Sequence, residues 1–215
     1  MVTGISNPSR SSDLQRFVYE DVSWQYYLQT LCAIGDRATR VTYDNRRMEI
    51  MSPLPEHEGA KRMLGQLIEM LAFELGLPKK SLSSTTFHDE GLAKGLEPDE
   101  CYFFQNEAKI RFCKRWDAKL YPPPDLAVEI DITSRSIPRQ PIYAALGVPE
   151  LWRFDGEKIQ CLHLKSGKYE NQDRSIVFPF LNPADLLQFI LMMPALDETT
   201  ILRAFVEWIR KNQWA

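Results

Sequence analysis

Apolar and polar positions alternate most sharply over Pro124–Thr133, PDLAVEIDIT, and the rest of the chain is organised around that stretch. Read as a β-strand of period two, it puts Asp125, Ala127, Glu129 and Asp131 on one face. Leu126, Val128, Ile130 and Ile132 fall on the other, which suits a core. Same-face neighbours lie roughly 7 Å apart, so the acidic row repels itself unless it reaches water, takes up protons or binds a cation. Mg²⁺ prefers oxygen ligands of this kind. A half-exposed edge strand with a solvated acidic face explains the same pattern.

Elsewhere the periodicity alternates between helix and strand. Trp24, Tyr27, Leu28 and Leu31 recur at helical spacing. VTYDNRRMEIM reads as a hairpin, Val41–Tyr43 and Met48–Met51 around a turn at Asp44-Asn45. Met63, Leu64, Leu67, Ile68, Leu71 and Leu75 form the apolar stripe of a long helix over 56–75, with Gly76 as its stop. His57 and Glu58 fall in its first turn, where the helix dipole favours a glutamate and a lone histidine reads as a surface residue. Strands are predicted over 83–88 and 98–104. A short helix is predicted over 141–146, with Pro141 in its first turn and Gly147 after it. PELWRFDG, EKIQCLHL and 175–180 read as further strands. Asn182-Pro183 opens a helix, and a last helix over 199–214 buries Ile201, Leu202, Phe205, Val206 and Ile209.

This pattern predicts an α/β fold: a central mixed sheet flanked by helices, preceded by a helix and hairpin and followed by C-terminal helices. The polar stretch 1–16 reads as a mobile tail and 17–215 as one domain. A net charge of −3 gives no general attraction to nucleic acid, so any such binding needs a local basic patch. The run KIRFCKRW offers one: Lys109, Arg111, Lys114 and Arg115 for phosphates, Phe112 and Trp116 for stacking on bases. A solvated loop is the plainer meaning of such a run. The four cysteines are scattered without a CxxC, no run reaches the length of a membrane span, and no signal peptide opens the chain. A cytoplasmic protein with reduced thiols is expected.

Helix, strand with Asp99, strand with Glu129 and short helix follow in an order that sets two carboxylates on neighbouring strands, an arrangement that metal-dependent phosphodiester hydrolysis requires. The text of four segments, MSPLPEHE, EPDECYFF, PPPDLAVEIDITSRS and IYAALGVPELWRFDG, resembles the Uma-type restriction endonucleases, a branch of the PD-(D/E)XK nuclease superfamily. PPDL-x-x-E, then S-x-S, then Y-x-x-x-GVPE-x-W is the most specific part of that resemblance. It implies a restriction-endonuclease-like core and Mg²⁺-dependent (or Mn²⁺-dependent) cleavage of DNA. Asp99 then supplies the aspartate of the PD motif, Glu129 opens the (D/E)XK motif, and the carbonyl of Ile130 faces the metal. Glu58 adds an acidic group from the first helix, and Asp125, itself in a PD dipeptide, is the alternative ligand.

The chain departs from the superfamily pattern where a lysine belongs. Two residues after Glu129 stands Asp131, and four residues before Tyr143, where relatives commonly carry a lysine, stands Arg139. Arginine is always protonated, so it holds a phosphate or a transition state but accepts no proton. Two functions follow: a DNA endonuclease, or a non-catalytic descendant that keeps the fold to bind nucleic acid or a protein partner. Hydrolysis of another phosphate ester is a weaker third, since fold does not fix substrate. A homodimer suits double-strand cleavage, with Trp208 and Trp214 of the last helix at its interface.

Overall fold

Antiparallel pairs and one parallel pair build two sheets in the computed structural model, which describes residues 16–35, 37, 39–52, 55–82, 85–132 and 136–212. The first half runs β1 (Arg16–Tyr19), α1 (Trp24–Ile34), β2 (Arg40–Asp44), β3 (Arg47–Met51), α2 (Pro55–Glu74), β4 (Lys80–Ser81), β5 (Phe87–Asp89), β6 (Lys94–Leu96) and β7 (Glu100–Phe103). The second runs α3 (Glu107–Ile110), β8 (Leu126–Ile130), α4 (Gln140–Ala145), β9 (Glu150–Phe154), β10 (Ile159–Lys165), β11 (Lys168–Gln172), α5 (Leu187–Ile190) and α6 (Glu198–Asn212). One sheet has the order β1-β3-β2-β6-β5, the other β11-β10-β9-β8-β7-β4.

The acidic strand β8 is interior, not an edge. It pairs antiparallel with β7 and parallel with β9, the crossover between β8 and β9 passing through α4. Leu126, Val128 and Ile130 pack against Met63, Leu64, Leu67, Ile68 and Leu71 of α2 and against Ile201, Phe205 and Ile209 of α6. Burying such side chains stabilises by roughly 1.5–3 kcal/mol each, which is why the apolar stripes of sheet and helices meet. On the other face Ala127 and Leu151 meet Ile142 and Tyr143 of α4 and Leu96 of β6. The mixed sheet with helices on opposite faces is therefore as the alternation predicts. Ile132 is a correction: the strand ends at Ile130, and Ile132 is 40% exposed.

Most predicted elements hold within a few residues. The hairpin turns at Asn45 and Arg46, both at positive φ (46° and 73°). Gly147, at φ 78°, ends α4, and the Val148 amide reaches back 3.1 Å to the Tyr143 carbonyl. A left-handed residue there strongly favours glycine. The strands β1, β4, β6 and β11 lie outside the predicted pattern. Residues 175–180 are not a strand. The amides of Ile176 and Val177 donate to a buried Glu150 carboxylate (2.8 and 3.0 Å), and that of Phe178 to the Ser175 hydroxyl (2.9 Å). Trp208 belongs to the core, against Phe189 and Phe205, not to a free helix face. Trp214 and the predicted tail, apart from Arg16 in β1, lie outside the described residues.

Leu67, without exposed surface between α2 and β8, tests this packing. Leu67→Ala is expected to lower the unfolding free energy by about 2–5 kcal/mol. Urea titration followed by circular dichroism measures the loss.

Candidate functional site

β7 begins one residue after Asp99, and its register with β8 sets Glu100 opposite Val128. Continued by one residue, that register places Asp99 across from Glu129. Asp99 has no exposed surface. Its Oδ2 accepts from the Ile130 amide at 2.8 Å and lies 3.2 Å from His57 Nε2. The aspartate thus ties the opening turn of α2 to β8. His57 Nδ1 stands 3.4 Å from the half-exposed Glu58 carboxylate. That contact, more than nearby Lys61, holds Glu58 below the usual carboxylate range, although partial burial opposes it.

Glu129 is enclosed by α4. Its Oε2 accepts from Arg139 Nη1 at 2.9 Å, and the Tyr143 hydroxyl donates to Oε1. Arg139 occupies the cap position of α4 and Tyr143 stands four residues on, so both side chains converge from one helical face. Burial by itself would lower the Arg139 pKa, but Glu129 and the other acidic groups around it hold it above its ordinary value. Burial, and then the Glu129 charge, push the Tyr143 hydroxyl well up. Arg139 also donates to the Glu97 carbonyl. The Glu97 side chain in turn receives Arg40 (3.3 Å) and Thr86 (3.1 Å), while buried Glu49 accepts from the Ser136 amide (2.8 Å). Residues on or beside β2, β3 and β6, in the sheet that lacks β8, therefore close one side of the site. In front, Glu129, Asp131, Gln140, Arg139 and Arg153 line a cleft of about 490 Å³.

Of the residues singled out in the sequence, Asp99, Glu129, Ile130 and Arg139 come together, Ile130 through its amide, and Glu58 joins at the rim through His57. Asp125 does not join them. It precedes β8 at the opposite end of the strand from Glu129. Its Oδ2 accepts from the Phe104 and Asn106 amides (2.7 and 3.0 Å) and its Oδ1 from the Asn106 side chain (2.6 Å), so it clamps the turn into α3. Asp131 pairs with Arg153 at 2.8 Å. His57 is a correction, being 7% exposed rather than a surface histidine. Tyr143 was passed over as a site residue, although its spacing from Arg139 is a legible signal. The basic run is partly consumed locally: Arg111 pairs with Glu107, Lys109 bonds Asn106, and the buried Trp116 indole donates to the Pro122 carbonyl. Phe112 remains 87% exposed.

The donor set fits a hard divalent cation. Asp99 and Glu129 offer buried carboxylate oxygens, the ligand type that such an ion prefers. Residues 24–192 match the Uma2 family, described as "Putative restriction endonuclease". The chain belongs to that family. No curated protein matches it. The α/β architecture, with its mixed and antiparallel sheets, is consistent with the restriction-endonuclease-like fold of the Uma2 family. Among the described residues, no helix is long and apolar enough to cross a membrane.

Two outcomes test this electrostatic arrangement. Arg139→Ala removes the cation from a buried pair and is expected to cost about 3–5 kcal/mol, less when Glu129 is also changed to Gln. Chemical denaturation of the single and double variants measures the coupling. Glu100, on the opposite face from Glu129, has its carboxyl pushed up to about 6 by burial, opposed by Lys61 and reinforced by Glu69 and Asp99. The folded state then holds this proton more tightly than the unfolded chain. Its stabilisation is complete below the unfolded value near 4.5 and is lost as pH rises through about 6. Glu100→Gln is therefore expected to raise the melting temperature relative to the parent more at pH 7.5 than at pH 4.

Proposed function

We propose that this protein is a metal-dependent endonuclease that hydrolyses phosphodiester bonds in DNA. The observation that carries this reading is a pair of buried carboxylates on neighbouring strands, Asp99 and Glu129, with the Arg139 guanidinium bonded to Glu129 where it lines an open cleft. Family membership supports the same class. Asp99 and Glu129 would hold Mg²⁺ or Mn²⁺, with Ile130 and Glu58 as neighbouring groups. The ion supplies charge neutralisation at the phosphate and a lowered pKa for attacking water.

The chain's own residues have separable tasks. Asp99 is oriented by the Ile130 amide and His57, Glu129 by Tyr143 and Arg139. Arg139 replaces the lysine of relatives. Its fixed charge binds a phosphate oxygen and stabilises developing negative charge, but it takes no proton from water. A cytoplasmic protein acting as a pair of copies suits double-strand cleavage, each copy cutting one strand. The closure of Glu129 by Arg139 and Tyr143 favours the second reading, a nuclease fold that binds without cutting.

Supercoiled plasmid separates the two. With Mg²⁺ or Mn²⁺ the parent is expected to nick it and chelator to stop the reaction. Asp99→Asn and Glu129→Gln should each lower the rate by about a hundredfold or more, with Arg139→Lys still active. Binding of DNA without nicking under any divalent ion would sink the endonuclease reading and leave the binding one.

A further inference from the structure

On the other face of the same sheet, where β9, β10 and the 175–177 segment meet, stands a cluster that takes no part in the chemistry above. Glu150 and Cys161 are buried and His163 is half-buried. Cys161 and His163 lie two apart on β10 and so share a face, and His163 is directly across from Glu150. Cys161 Sγ is 3.5 Å from His163 Nε2 and 3.5 Å from Glu150 Oε1. The three donor atoms lie within 4.8 Å of one another.

The Cys161 thiol has more polar neighbours than its one proton can serve. Sγ also lies 3.5 Å from the Arg174 carbonyl, yet one S–H proton serves one acceptor. Glu150, with no exposed surface, is ion-paired to no Lys or Arg among the described residues. Its Oε2 is held by the Ile176 and Val177 amides and its Oε1 by the Trp152 indole at 2.6 Å, so loss of the thiol proton frees an Oε1 lone pair of fixed direction. A tetrahedral zinc ion bonds sulfur at about 2.3 Å and imidazole or carboxylate at about 2.0–2.2 Å, which sets such ligand atoms roughly 3.5 Å apart. The two distances from sulfur, 3.5 Å each, match.

We propose that Glu150, Cys161 and His163 bind one zinc ion. Thiolate, imidazole and carboxylate are its protein ligands, and solvent takes the fourth position on the half-buried side of His163. The thiol proton passes to solvent as the ion enters. Thiolate and imidazole select zinc over magnesium, so this site is chemically distinct from the all-oxygen pair Asp99 and Glu129. The ion fastens β9 to β10.

The test uses the full chain under reductant, stripped of metal by chelator. Zinc is titrated in competition with a chromophoric chelator, and cobalt(II) serves as a spectroscopic stand-in. One zinc per chain is expected, with a sulfur-to-cobalt charge-transfer band in the near ultraviolet and a rise in melting temperature on loading. Cys161→Ser should abolish the band, and His163→Gln should weaken zinc binding by at least about tenfold. Both variants leave Glu150 and its amide contacts in place, and circular dichroism without metal verifies folding. Absence of the thiolate band in the parent, or parental zinc affinity in both variants, would overturn the proposal.

Discussion

A carboxylate taken out of water needs a cation or several donated hydrogen bonds, and four are buried on or beside the strands of the β8 sheet. Each is met in its own way, and each solution fastens a separate part of the chain. Asp99 takes an amide of β8 and a histidine of α2. Asp125 takes two amides of the turn into α3. Glu129 takes a guanidinium and a phenol from α4, and Glu150 takes an indole and the amides of Ile176 and Val177. Without these partners the sheet could not carry acids on strands enclosed on both faces.

Glu129 shows how stability and chemistry draw on one contact. Arg139 neutralises it in the folded chain, so the carboxylate is buried at tolerable cost. The same guanidinium lines the cleft, where an anionic substrate would compete for it. A lysine there would be a compact charge able to shed its proton, whereas arginine stays charged and planar. This exchange alters the local acid–base chemistry while preserving the charge that the buried glutamate needs. Tyr143, with its hydroxyl proton held firmly, orients Glu129 rather than titrating beside it.

The two acidic clusters are segregated by the pleat. Glu129 pairs in register with Arg153 and looks toward α4, whereas Glu150 pairs with Leu126 and shares a face with Trp152 in the α2 core. Three residues along the parallel pair separate them, roughly 10 Å. The first is all oxygen and opens on the cleft between Arg139 and Arg153. The second includes sulfur and nitrogen and sits at the margin of an apolar core.

Period two along PDLAVEIDIT by itself determined which residues of β8 share the apolar face, the one that packs on α2, because alternation is a property of the extended backbone and needs no partner. The stripe of α2, the Asn182 cap and the Gly147 stop were legible for the same reason: each rests on local geometry. Motif text likewise brought Asp99, Glu129 and Arg139 into view. Only tertiary structure decided that β8 is interior, since identical alternation serves an edge strand equally well. It also divided two PD dipeptides with the same sequence. Asp99 stops just short of its strand and turns to the Ile130 amide, while Asp125 sits where the Phe104–Asn106 turn offers its amides. His57 went unread because its burial depends on where α2 meets β8, and residues 175–180 were misread because their amides answer to a glutamate on another strand. Such pairings join residues distant in sequence, and no local period encodes them.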